Sequence, residues 1–166
     1  MTILEGRFRK RKKPVNGSWR MDETYIKVKG KWVYLYRAVD KYGDTIDFML
    51  RAKRDKGDAK AFFKKTIKSS GQPIKVNIDK SGSNTSALNS INKPLSKEDQ
   101  IKIRQSKYLN NKIEGDHRFI KKLTRPMLGF KSFRSAAKTI VRIELGQLAN
   151  NDNYNSDFDK FLSLAV

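Results

Sequence analysis

Apolar and polar side chains alternate along three early stretches, about 19–29, 31–40 and 45–51, which predicts three β-strands. Gly30 falls in the first turn, and Lys41-Tyr42-Gly43-Asp44 forms the second, with Gly43 free to take positive φ. The second stretch sets Trp32, Tyr34, Tyr36 and Ala38 against Val33, Leu35, Arg37 and Val39. Apolar residues on both faces predict a central, covered strand. The aromatic row is therefore expected in the core rather than as a base-stacking platform.

The period then changes from two to 3.6. Ala59, Phe62, Phe63, Thr66 and Ile67 predict a helix over 57–70, with Gly71 as its stop and Pro73 beyond it. Ile74 to Asp79 reads as a fourth strand, parallel to the first because a helix crosses between them. Ser83 to Ile91 is a second, polar helix with Ser83 or Asn84 as its N-cap, and Lys102 to Ser106 a fifth strand. Lys107 to Lys121 predicts a helix that packs through Leu109, Ile113, Phe119 and Ile120. Pro126 and Gly129 break the chain before a last helix over 132–149, which buries Phe133, Ala136, Ala137, Ile140, Val141, Ile143 and Leu145. This order predicts an α/β fold, a mixed five-stranded sheet with helices on both faces, and it matches the ribonuclease-H-like arrangement.

Charge narrows the partners. Lys and Arg number 37 against 17 Asp and Glu, a net charge of +20, which favours a polyanion such as nucleic acid. The cations are spread along the chain rather than gathered on one amphipathic helix, which argues against a membrane surface. No run of 18 apolar residues spans a bilayer, and no apolar leader opens the chain. The absence of cysteine excludes disulfides and thiolate metal sites and fits a reducing cytoplasm. Residues 1–17, with Arg7, Arg9, Lys10, Arg11, Lys12 and Lys13, form a basic arm or linker.

Candidate chemistry lies in three acids. Asp22 sits on the first strand, Asp79 closes the fourth, and Glu114 lies on the predicted 107–121 helix. On that helix Glu114, Arg118 and Lys121 share one face. Three carboxylates from separate elements suit two divalent ions, which neutralise the charge that builds on a phosphodiester under attack. Glu23, next to Asp22, points to the opposite strand face, and Asp40, Asp44 and Asp47 lie near turns and are expected to be solvated. His117 lacks a second nitrogen or sulfur ligand for zinc and is expected to be structural or to contact phosphate.

The run Trp19-Arg20-Met21-Asp22-Glu23-Thr24-Tyr25-Ile26-Lys27-Val28-Lys29-Gly30-Lys31-Trp32, followed by Tyr34 to Asp40, resembles the opening of the catalytic domain of bacterial insertion-sequence transposases of the IS-six group. Tyr108 to Glu114, Asp116 to Lys121 and Arg125 to Phe133 resemble its close. The resemblance covers roughly Ser18 to Leu145. It implies a retroviral-integrase-like, ribonuclease-H-like domain with Asp22, Asp79 and Glu114 as a DDE triad. It also implies two Mg2+ ions, with Mn2+ as a substitute, and DNA strand cleavage and transfer on transposon ends and target DNA. Lys121 matches the basic residue that follows the triad glutamate in this family, and would hold phosphate with Arg118, Lys80, Lys122 and Arg125.

The resemblance further implies a homo-oligomer when active, and 18–149 as the catalytic domain followed by a 150–166 tail. In the family a DNA-end-binding helical domain precedes this one, and the expectation is a truncated or separately encoded catalytic part. Gly115 stands where Gln usually follows the glutamate, and Ile78 where Thr is more common. The alternative readings are an inactive remnant that binds DNA non-specifically, and a nuclease of the same fold that cuts without joining.

Overall fold

The computed structural model describes residues 17–80, 82–106, 115, 117–118, 120–122 and 129–151, the last seven of these as backbone alone. Strands β1 (Ser18–Val28), β2 (Lys31–Asp40) and β3 (Thr45–Arg51) form an antiparallel meander. Helix α1 (Lys56–Ser70) leads to β4 (Lys75–Ile78), and α2 (Gly82–Asn92) to β5 (Lys102–Gln105). Helix α3 (Phe133–Asn151) closes the described chain. The sheet order is β3-β2-β1-β4-β5, with β1, β4 and β5 parallel, so the predicted mixed sheet is present.

Local chemistry explains the turns. Lys29 (φ 48°) and Gly30 (φ 74°) both take positive φ between the paired Val28 and Lys31, the geometry of a two-residue hairpin loop that matches strand twist. Asp40 Oδ1 accepts from the amides of Tyr42, Gly43 and Asp44 at 2.8, 3.0 and 3.0 Å and folds the next turn around itself. Asp55 caps α1 by accepting from the Asp58 amide at 2.8 Å, and Gly71 (φ 82°) ends it.

Helices cover both sheet faces. On one, α1 and α2 pack Phe62, Phe63, Ala87 and Leu88 onto Trp19, Met21, Tyr36, Ala38, Val76 and Ile78. On the other, Ala136, Ile140 and Val141 of α3, with Ile120 and Phe130, cover Ile26, Val28, Val33, Leu35, Phe48 and Leu50. The strand period of two sorts these sets. An ion pair is embedded in the second face. Arg37 donates to Glu144 at 2.7 and 3.1 Å and to Thr45 at 2.6 Å, and all three are buried. It fastens α3 to β2 and β3.

Several expectations require correction. Asp40 and Asp47 are buried, not solvated: Asp40 organises a turn, and Asp47 pairs with Lys65 at 3.0 Å. Neither Ser83 nor Asn84 caps α2, since both lie within it. The strand-two aromatics divide: Tyr36 is in the core, whereas Trp32 is exposed, because β1 and β2 run past the cover of α1 and α2. The basic arm over 1–16 and most of the 107–121 helix, including Glu114, lie outside the described residues. Within that helix, residues 115, 117, 118, 120 and 121 are helical as expected, and Lys122 continues it.

Two stability predictions follow from this packing. Glu144→Ala leaves a buried guanidinium unpaired and should destabilise by about 3–5 kcal/mol in denaturant unfolding, with Arg37→Met plus Glu144→Leu recovering much of the loss. Gly129 has φ 101°, and an added Cβ would stand 3.2 Å from the Lys27 carbonyl oxygen. Gly129→Ala should therefore cost more than about 1 kcal/mol by the same measurement.

Candidate active site

Parallel pairing of β1 with β4 builds the site. Ser18, Trp19 and Arg20 face Lys75, Val76 and Asn77 in register. Continued for two more residues, that register sets Asp79 beside Asp22, on strands about 4.8 Å apart. β4 ends at Ile78 while β1 continues to Val28. Beyond Asp22 the β4-side edge of β1 meets Phe130, which accepts from the Lys29 amide at 2.7 Å and donates to the Lys27 carbonyl at 2.8 Å. The two acids thus stand where a neighbouring strand stops, at the carboxyl end of parallel strands, the position where α/β sheets bind ligands.

His117 approaches from the second face. Its Nδ1 lies 3.5 Å from Asp22 Oδ2, and its ring is buried beside Ile120 on the same helical segment. His117 is three residues past Glu114 in sequence. His117 Nε2 is buried and has no hydrogen-bond partner among the described residues. An added Cβ at helical Gly115 meets nothing within 4 Å among the described residues.

A polar clamp approaches from the first face. Glu23 lies there, as strand alternation requires, and its side chain is 2 % exposed. It pairs with Arg54 from the β3–α1 loop and accepts from Asn84 Nδ2 of α2 at 2.9 Å. Both partners also reach Asp79: Arg54 to Oδ2 at 3.5 Å and Asn84 to Oδ1 at 3.5 Å. Burial pushes the Glu23 carboxyl above the ordinary carboxylate range, while the hydrogen bonds from Asn84 and Arg54 pull it back. Sequence reading missed Arg54 and Asn84 in this role, because they lie 31 and 61 residues from Glu23 in the chain. The only signal was Glu23, an acid beside Asp22 on the face that also carries the buried Trp19 and Met21.

The side chains of Asp22 and Asp79 are 17 % and 37 % exposed, so both carboxylates keep access to solvent. Two such oxygen donors fit a hard divalent cation. No group of three ligating side chains gathers among the described residues. Of the predicted phosphate contacts, Lys80 follows Asp79 and is exposed, Arg118 and Lys122 are exposed, and Lys121 is half-buried. Glu114 and Arg125 lie outside the described residues.

A family model described as a DDE domain matches residues 16–152. The transposase of insertion sequence-like element IS431mec from Staphylococcus aureus (strain Mu50 / ATCC 700699) is 44% identical over 143 residues, covering 86% of this chain and 62% of that protein. The transposase of insertion sequence element IS257 in transposon Tn4003, also from Staphylococcus aureus, matches to the same extent. The chain therefore spans about 62% of the length of these relatives. Among solved structures, the dimeric HTLV-2 integrase catalytic core domain in complex with magnesium is similar, with a TM-score of 0.55 at 20% identity over 69% of this chain and 72% of that one. That likeness establishes the ribonuclease-H-like fold. With the model match spanning most of the chain, the chain belongs to the DDE-domain family of insertion-sequence transposases, in the IS-six group.

Proposed function

We propose that this chain is the catalytic domain of a metal-dependent DNA transposase, which cuts DNA strands and joins them to a target. The observation that carries the reading is the register of β1 on β4, which sets Asp22 beside Asp79 with the His117 segment against Asp22. Asp22, Asp79 and Glu114 would hold two Mg2+ ions, with Mn2+ able to replace them. Bound there, such ions supply charge neutralisation at phosphorus and an activated oxygen nucleophile.

The protein's own groups orient these ligands. Arg54 and Asn84 hold the Asp79 carboxylate from one side, and His117 backs Asp22 from the other. Lys80, Arg118, Lys121, Lys122 and Arg125 hold the phosphates of transposon ends and target DNA. The active species is a homo-oligomer in the cytoplasm. No helix among the described residues is long and apolar enough to cross a membrane.

The test is a strand-cutting and strand-joining assay with magnesium on duplexes that carry the element's own ends. Asp79→Asn should reduce both reactions to background while thermal unfolding stays unchanged or rises, since clustered carboxylates repel one another without metal. Wild-type cutting by that variant would remove Asp79 from the chemistry. DNA affinity should also fall linearly with salt on a log–log plot, by about 0.9 per phosphate contact on duplex DNA. A flat salt response in a fluorescence titration would contradict a phosphate-dominated interface.

A further inference from the structure

The face of the sheet that carries Glu23 does not end at the site. Beyond Glu23 and its cross-strand partner Tyr36 come the pairs Tyr25–Tyr34 and Lys27–Trp32. Here the β1–β2 hairpin has left the cover of α1 and α2. Tyr25 is 50 % exposed and Trp32 is 56 % exposed. Their rings meet edge to face with centroids 5.0 Å apart and planes at 83°. Lys121 Nζ stands 4.3 Å from the Tyr25 ring centre, and Lys27 Nζ 5.6 Å from that of Trp32. Lys29 and Lys31, at the hairpin tip, are exposed, and no acid occurs between Tyr25 and Trp32.

A cross-strand aromatic pair stabilises a hairpin, and that role accounts for the contact between the rings. It does not account for large apolar rings left half in water and surrounded by cations of one sign. Four lysines complement a polyanion. Two exposed rings complement flat apolar groups, and a strand of unpaired nucleotides combines the two. Duplex DNA would engage the lysines but not the rings, because its base faces are stacked on one another. Tyr25 is three residues along β1 from Asp22, about 10 Å, and points to the opposite face of the strand, where Lys121 reaches it.

We propose that Tyr25 and Trp32, with Lys27 and Lys121, form a stacking platform for unpaired bases of a DNA strand on the Glu23 face of the sheet, one hairpin step along from Asp22 and Asp79. The proposal takes the polymer to be DNA from the transposase reading above. What it adds is that the substrate carries unpaired bases at this position.

The test measures binding by fluorescence anisotropy in EDTA at fixed salt, using a labelled duplex with one splayed end and a blunt duplex of equal length. Wild type should prefer the splayed end by about fivefold or more, the scale of a single base stacked on an aromatic ring. Trp32→Ala and Tyr25→Ala should lose that preference and change blunt-duplex affinity less than twofold, and Trp32→Phe should keep it. Circular dichroism checks that each variant is folded. Equal affinity of wild type for the two duplexes, or a preference that survives Trp32→Ala, overturns the platform. Sedimentation separates the other occupant: an oligomer that dissociates in Trp32→Ala while the splayed-end preference persists makes the patch a contact between copies and also overturns the proposal. Metal-dependent cutting does not enter this readout, so the catalytic reading stands or falls separately.

Discussion

Everything at the site depends on the parallel pairing of β1 with β4. These strands are distant in sequence, and only three residue pairs join them in register. That short ladder decides which residue of the first strand lies beside the end of the fourth. A slip by one residue would turn every β4 side chain to the other face. It would expose Val76 and Ile78, which are fully buried, so the hydrophobic core fixes the register. The placement of the two acids is in this sense a consequence of packing: Trp19, Met21, Val76 and Ile78 lock the strands, and Asp22 and Asp79 take the positions that remain.

The surrounding structure holds that edge open and supported. Arg37, the cross-strand neighbour of Asp22, is held by Glu144 and Thr45. Its charge is thereby engaged on the α3 side. Phe130 pairs with β1 further along, so the chain returns to the same strand just past the site. Glu23, Arg54 and Asn84 support Asp79 from the opposite face. The site is thus reached by groups from β1, the β3–α1 loop, α2 and the His117 segment.

Much of this was legible in the chain. Alternation located the strands, and the hydrophobic period located α1 and α3, because each buries one face, although Phe133, expected in the buried set of α3, is exposed at its first turn. The crossover helix implied that β4 runs parallel to β1. Asp22 and Asp79 stood out as acids on strands, and their shared edge follows from that topology. What was not legible depends on distance in sequence or on the length of neighbouring elements. Asp47 is neutralised by Lys65 from α1, a pairing no local pattern reveals. Trp32 has the same alternating position as Tyr36, and only the reach of α1 and α2 over the sheet separates core from surface. Asn84 has the composition of a cap, yet it lies within α2 and reaches Glu23 and Asp79.

The central claim is that Asp22 and Asp79 are ligands of one divalent metal centre, which Glu114 completes. Anomalous scattering from crystals grown with Mn2+ tests it most directly, because it locates the metal without relying on activity. The account predicts a peak between the Asp22 and Asp79 carboxylates, with oxygens of both at about 2.0–2.2 Å and Glu114 within reach of the same centre. Manganese bound elsewhere, or a peak touching only one of the two aspartates, would contradict it.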